Sequence, residues 1–366
     1  MANKGRWERN RIMLNRGSSL AIRFISICFW IALFVGILYL PRCGNIFRSK
    51  RSLSIFTWSS LMDPSYLKKF EQETGIKLYI SYYESNEELL SKMQATEGRG
   101  YDVVIPTDYM FIKLKKKGYL KKIDKGRLTF LDDLDPKLLG MYFDPDNEYS
   151  IPYFWAVYGL GIDKSYYKGK VPDPTWGLIF NPSMMPSSVG MTDNIREAVY
   201  IPAFYLFGSI EALKEPGNLE KVKNLLIEQK RHVEVYSEVR AEDLLLSKSS
   251  PIALGLSNDI WRAVREDSDI VFVIPKEGSF LSIDSVVIPK ATEKDDLIYQ
   301  FINFLYRKEV FEHHVEKYGL CPTLKTIKPE SGSCCPRGEE FDRLHFFKDV
   351  VPKVKLNEVW LSVMAH

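Results

Sequence analysis

What the chain lacks narrows its chemistry first. It contains no HExxH, GxSxG, GxxxxGK[ST] or GxGxxG motif, so the usual marks of zinc proteases, serine hydrolases, P-loop proteins and dinucleotide-binding proteins are missing. The five histidines, His232, His313, His314, His345 and His366, form no metal-ligand spacing with the five cysteines. No metal and no cofactor are therefore expected. Five cysteines in 366 residues are also too few for a disulfide scaffold. In an oxidising compartment Cys321 has Cys334 or Cys335 as a partner; free buried thiols are the equal alternative. Repeats, low-complexity tracts and Pro/Ser-rich linkers are absent as well.

An excess of charge is missing from most of the chain. The net +3 arises in residues 1–51, which hold 10 Lys+Arg and one acid, leaving 40 basic and 46 acidic residues, a net of −6, over residues 52–366. A mildly acidic body argues against a nucleic-acid partner and is compatible with a cationic ligand. Two catalytic arrangements can still be drawn. Cys321 could serve as a nucleophile with His313 or His314 as base, but adjacent histidines late in a helix are ordinarily surface or capping residues. Tyr82-Tyr83 and Tyr166-Tyr167 could hold ferric iron through paired phenolates, although such pairs are common in aromatic-rich strands. The expectation is a protein that is not an enzyme.

What is present has the composition of an ordinary soluble protein, 45% hydrophobic and 27% charged, in a length that allows one large or two medium domains. The exception is the 17-residue uncharged run Phe24 to Leu40, preceded by Lys4, Arg6, Arg9, Arg11, Arg16 and Arg23. It reads as a secretory signal or a membrane anchor, and the absence of an A-x-A-like cleavage site favours the uncleaved anchor. Residues 1–51 would then be a cytoplasmic basic segment with its anchor at 24–40, and the body would lie outside the cytoplasm.

The body is organised around YDVVIPTDY, Tyr101 to Tyr109. Val103 to Ile105 form a short β-branched block that ends at Pro106. Thr107 or Asp108 can cap the helical pattern that runs from Tyr109 into Lys115, Lys116, Lys117 and Gly118. Upstream, LSIFTW to Trp58 reads as a strand, Asp63-Pro64 opens a helix that stops at Gly75, Ile76 to Tyr83 reads as a strand, and Ser85 or Asn86 caps a helix over 87–96. This βαβαβα order predicts a largely parallel sheet with both faces covered, and ligands in such sheets sit at the carboxyl ends of strands.

Tyr149 to Ile162 reads as a strand pair leaving the first lobe. Val189 to Thr192 is a strand, Asp193 or Asn194 a cap, and Ile195 to Phe207 a helix that Pro202 should kink or interrupt. Alternation continues to Ile274. Ser282 to Pro289 is another strand, helices follow over 294–307 and 309–317, and the stretch from Glu339 to Met364 reads as helical. Leaving a lobe and returning to it needs two crossings, near 155–158 and 283–285. The expected architecture is two α/β lobes, 52–156 plus 285–320 and 157–284 plus 321–366, hinged around a cleft.

Carboxylates and aromatics gather at the predicted strand ends: Trp58, Tyr83-Glu84, Tyr109, Trp155, Glu197, Trp261 and Asp284. A protonated polyamine needs carboxylates at its ammonium groups and aromatic faces along its methylenes, each worth about 0.5–2 kcal/mol by cation–π contact. Asp284 interrupts an apolar strand, and a buried acid needs a partner.

The ordered set FEQETGIKL, YYESNEELLSKM, YDVVIPTDYM, FDPDNEYSIPYFW, TDNIREA, IPKEGSFLSIDSVVIPK and FINFLYRKEV resembles the bacterial periplasmic spermidine/putrescine-binding proteins of ABC transporters over nearly all of residues 53–325. The resemblance implies the α/β, two-lobed periplasmic solute-binding fold of type II, a monomer that binds a polyamine and delivers it to an ABC permease of the inner membrane. It also implies a ligand set of Trp58, Ser59, Thr107, Tyr109, Glu197 and Asp284, with Asn194 and Asn258 at positions where the family has an acid and a tryptophan. Leu61, Ser282 and Leu320 or Cys321 stand at further aromatic positions of the family, and Trp261 could restore one ring. Two strong acids favour a diamine over a triamine. The alternative is a diverged sensor or interaction protein of the same fold with a different small ligand.

Overall fold

The computed structural model describes residues 26–31, 33–34, 51–59, 61–237, 240–329 and 332–366. The anchor read over 24–40 lies mostly outside them; its described residues are helical. Among the described residues no helix is long and apolar enough to cross a membrane.

The first half of the body follows the βαβαβα expectation. β1 (Ser52–Thr57), α1 (Pro64–Thr74), β2 (Lys77–Tyr82), α2 (Asn86–Ala95), β3 (Val103–Val104) and α3 (Asp108–Lys116) succeed one another. Their sheet has the order β2-β1-β3, with β1 and β3 parallel. The caps are the local reason for the boundaries. Asp63 accepts from the Ser65 amide, Ser85 from the Glu88 amide, and Gly75 ends α1 at φ 68°. Thr107 occupies the N-cap of α3 without making a side-chain cap bond.

The predicted strand pair at 149–162 is instead one strand, β4 (Ile151–Asp163), buried along all 13 residues. After it come β5 (Val189–Met191), α4 (Ile195–Phe207), α5 (Asn218–Lys230), β6 (Val233–Tyr236), α6 (Ala241–Leu246), β7 (Ile252–Leu256), α7 (Ser257–Glu266), β8 (Ile270–Val273) and β9 (Ser279–Val286). β4 pairs antiparallel with β7, β8 and β9, so it is the axis of an eight-stranded mixed sheet. Gly159 is needed there, because a Cβ would lie 2.6 Å from the Val273 carbonyl oxygen. α4 runs through Pro202. The proline removes one helical bond, but Ala198 to Phe204 are all buried, and that burial offsets the loss.

The chain then returns to the first half through α8 (Asp295–Leu305), α9 (Lys308–Tyr318) and β10 (Cys321–Pro322), which pairs with Phe154 and Trp155 of β4. Cys321 is disulfide-bonded to Cys335, and Cys334 is a buried free thiol pushed up to about 12 by burial. The expected helix over 339–364 is not continuous. A 3-10 turn leads into β11 (Leu344–Phe346), which lies parallel to β9, and α10 (Lys353–Ala365) starts only after Pro352. The free edge of β9 captures the segment before the helical pattern can run through it.

Two sets of cores result. Leu53, Ile55, Val103, Tyr153, Phe154, Ile302, Phe311, Leu324 and Ile327 share one, with Phe56, Val104, Trp155, Ile283, Cys321 and Cys335 in a second beside β1 and β3. Leu160, Ile162, Trp176, Val199, Leu226, Phe280, Phe347 and Val363 share another. Cys321, Leu324, Ile327, Cys335, Phe341 and Phe346, grouped with the second lobe on sequence grounds, pack with the cores of the first half, whereas Arg343 and His345 reach Pro275, Phe204 and Phe280 of the other half, whose core Phe347 joins.

Candidate functional site

Each half presents helix N-termini and strand ends to a common cavity. Trp58 and Ser59 follow β1; Thr107 and Asp108 open α3, with Tyr109 next; Asn194 caps α4, whose first turn carries Glu197; Asn258 and Asp259 open α7; Asp284 lies on β9. All eight residues expected from the sequence line this one cavity of about 220 Å³. So do Leu61, Ser282 and Leu320, three of the positions expected to depart from the family pattern. Trp261 does not line it. Its ring is buried against Gly319, where a Cβ would come within 2.0 Å of it, so it restores no ring to the cavity.

Asp284 is placed by backbone pairing. It faces Phe154 across the β4–β9 ladder and forms an antiparallel bridge with Thr107, with the Ser285 amide donating to the Pro106 carbonyl at 3.0 Å. Its carboxylate accepts from the Trp58 indole N–H at 3.1 Å, and among the described residues no base pairs with it. Burial pushes its pKa up to about 7; the Trp58 bond opposes this, and the negative charges of Asp108 and Asp259 add to it. Asp108 is pushed up to about 6 by burial, offset in part by Arg196, and the Tyr142 hydroxyl donates to it at 3.4 Å.

Glu197 is buried and accepts from the Tyr158 hydroxyl and, at 3.0 Å, from that of Thr192. Asn194 spends its side-chain oxygen on the Arg196 amide at 3.1 Å. Asn258 donates to Asp259 at 3.0 Å. The side-chain oxygens of Asn86, Thr107 and Asn258 are buried without a hydrogen-bond partner among the described residues. Unpartnered acceptors in a cavity wall suit a ligand rich in N–H donors.

Five rings line the cavity, those of Trp58, Tyr109, Trp155, Tyr158 and Phe347. Trp58 leans on Tyr83 at 4.4 Å between centroids, and the buried Tyr83 hydroxyl donates to the Ile105 carbonyl at 2.5 Å. The Arg196 guanidinium lies 4.4 Å from the Tyr109 centroid, and it also pairs with Asp349 at 3.2 Å and donates to the Phe347 carbonyl. Lining acids are Glu84, Asp108, Glu197, Asp259 and Asp284, against Arg196 as the lining base. This excess of lining acids over bases suits a cation.

The sketched Cys321 arrangement fails on contacts. The Cys321 sulfur is committed to Cys335, His313 bonds Asp63 at 2.9 Å, and buried His314 accepts from the Asp63 amide and bonds the Tyr153 hydroxyl. Burial lowers the His314 pKa to about 4. Tyr83 spends its hydroxyl on backbone, and among the described residues no group of three His, Cys, Asp or Glu could hold a metal ion.

Sequence reasoning missed Asp108 as a site acid, having read it as a cap, and missed Asp259, Tyr158 and Phe347. Asp259 carried a usable signal, since it opens a helix directly after a strand, as Thr107 does. Phe347 carried none, because only the long-range β9–β11 pairing brings it to the cavity.

With this geometry in place, comparison with known proteins is specific. A family model for bacterial extracellular solute-binding proteins matches residues 65–333. The spermidine/putrescine-binding periplasmic protein of Escherichia coli (strain K12) is 31% identical over 287 residues, 76% of this chain and 80% of that protein. The putrescine-binding periplasmic protein SpuD of Pseudomonas aeruginosa (strain UCBPP-PA14) is 30% identical, covering 86% and 92%. Among solved structures, a putative spermidine/putrescine ABC transporter protein from Listeria monocytogenes superposes with TM-score 0.75 at 27% identity, over 86% of this chain and 99% of that one. The substrate-binding protein PotD of a spermidine/putrescine ABC transporter from Streptococcus pneumoniae gives 0.76 at 24% identity over the same shares, a likeness of fold. The two-lobed solute-binding architecture and the resemblance read from the motifs are borne out.

Proposed function

Because the chain belongs to the family of bacterial extracellular solute-binding proteins, we propose that it binds a protonated polyamine in the acidic cavity outside the cytoplasm and delivers it to an ABC permease. The observation that carries the reading is Asp284, an acid without a base, held by an indole in a cavity where acids outnumber bases. One ammonium group lies at Asp284 beside Trp58, with Asp259 and Asp108 supplying further negative charge. A second lies at Glu197, and the rings of Trp58, Tyr109 and Trp155 flank the methylenes. Ser59, Thr107, Asn194 and Asn258 contribute polar edges. The names of the relatives from Escherichia coli and Pseudomonas aeruginosa support this ligand class.

The lobes proposed to close on the ligand are 53–156 with 282–346, and 157–281 with 347–366, hinged where β4, β9 and the 346–347 link pass between cores. The protein acts as a monomer. Calorimetric titration of the full-length protein with putrescine and spermidine tests the assignment; no heat from either at millimolar concentration removes it. The replaced positions Leu61, Asn194, Asn258, Ser282 and Leu320 favour, as a second reading, the same fold with a modified ligand.

A further inference from the structure

The cavity does not end at Tyr109. A second one of about 760 Å³ continues beyond it, with Tyr109, Asn194 and Arg196 in both walls. The inner cavity alone is smaller than the roughly 300–1,000 Å³ of sites for drug-sized ligands, so a ligand larger than a free diamine would extend into the outer one. The two differ in charge. Outward of Tyr109 the wall carries Lys113, Arg196 and Lys353 against an apolar side made by Ile195, Val350, Val351 and Leu356.

Two of these cations are not fully matched. Lys353 pairs with Glu87 at 2.9 Å, but Lys113 has no carboxylate within ion-pair distance among the described residues; its ammonium lies 5.0 Å from the Tyr109 centroid, the ring that Arg196 also covers. The Arg196 side chain is only 11% exposed, and its Nε and Nη1 have no hydrogen-bond partner among the described residues. The outer acids, Glu87, Asp193 and Asp349, sit half-exposed or exposed at the rim. Burial, together with Lys353 and Arg196, holds the Lys113 pKa below its ordinary value, although Asp349 and Glu87 oppose this. A longer polyamine would press a further ammonium against this pair, whereas an anion would satisfy it.

Resting on the polyamine reading for its Asp284 end, and with an amide nitrogen in place of the second ammonium, we propose that the ligand is a diamine acylated on one nitrogen by a dicarboxylic acid. Its free ammonium is held at Asp284, and its carboxylate lies against Lys113 and Arg196 in the outer cavity.

Calorimetry of the full-length protein with 1,4-diaminobutane, its N-acetyl derivative and its N-succinyl derivative tests this. The N-succinyl compound is expected to bind at least about tenfold more tightly than the N-acetyl one. In Lys113→Met that gap closes, while Lys116→Met, on the same helix but lining neither cavity, leaves it intact. An N-succinyl compound no tighter than the N-acetyl one overturns the proposal on the wild-type protein alone, even if the free diamine binds and the polyamine reading stands. A gap that survives Lys113→Met also overturns it. Silence from all three compounds removes the polyamine reading and this proposal together.

Discussion

Trp58 and Asp284, 226 residues apart in sequence, are joined by one hydrogen bond of 3.1 Å from indole to carboxylate. The bond fixes an acid and a ring at a right distance to act on one ammonium group. It engages one carboxylate oxygen and leaves the other for the proposed ligand, and the ring leans on Tyr83 for support.

Asp284→Asn is expected to separate stability from binding. A carboxylate whose folded pKa is raised costs stability as pH climbs from about 4 towards 7, because the folded state holds the proton that the unfolded state releases. The asparagine variant avoids that cost and should melt higher at pH 8, by on the order of 2 kcal/mol, while losing polyamine affinity by about 100-fold or more. Calorimetry and thermal melts on both proteins check the pair; a variant that binds as well as wild type would refute the role of Asp284.

Binding should release protons. An ammonium placed at Asp284 and Asp108 stabilises their ionised forms, so apparent affinity should rise as pH increases from about 5.5 to 7.5 and level off above, where both are already ionised. Titrations in buffers of different ionisation enthalpy report the proton count; a flat profile over that range contradicts the assignment.

Trp58→Leu is expected to weaken binding by about 10- to 100-fold, since it removes both a cation–π face and the hydrogen bond that aims Asp284. Trp58→Phe keeps a ring and loses the donor, so it should fall between the two. Equal affinities for the three proteins would show that the ring is not at the ligand.

His314 is expected to control acid tolerance. Its folded pKa of about 4 is depressed, so the stability it contributes is fully present above pH 6.5 and is lost as pH falls towards 4. His314→Gln should flatten the slope of unfolding free energy between pH 6.5 and 4, read by denaturant titration at each pH. A variant with the wild-type slope would assign the acid sensitivity elsewhere.

The disulfide Cys321–Cys335 closes a short loop, and its removal as Cys321→Ser with Cys335→Ser should cost about 3 kcal/mol of unfolding free energy. Denaturation of the two proteins under identical conditions measures it.

Local signals carried much of the fold. Asp63-Pro64, Ser85 and Gly75 act on their nearest neighbours, so their helices begin and end where capping chemistry alone predicts. β4 was harder, because Pro152 and its glycines resemble turn residues until the tertiary pairing with β8 shows that Gly159 is there for closeness. The helical pattern of 339–364 lost to the open edge of β9, a competition that no window of sequence contains. In the site, Trp58, Tyr109, Glu197 and Asp284 were legible as acids and rings at strand ends, whereas Ser59, Asn194 and Asn258 came only with the family resemblance. Phe347 and Tyr158 were not legible, because the first arrives by a long-range pairing and the second sits within a run of buried apolar residues.

The uninterrupted burial of β4 has a practical consequence for anyone dissecting this protein. Its first residues complete one core and its last residues another, so neither half can be excised as a self-sufficient fragment. A half-length product, or a chimera spliced within Ile151–Asp163, would expose a raw strand edge and invite intermolecular pairing. Grafts that exchange ligand preference should therefore alter side chains in place rather than trade lobes.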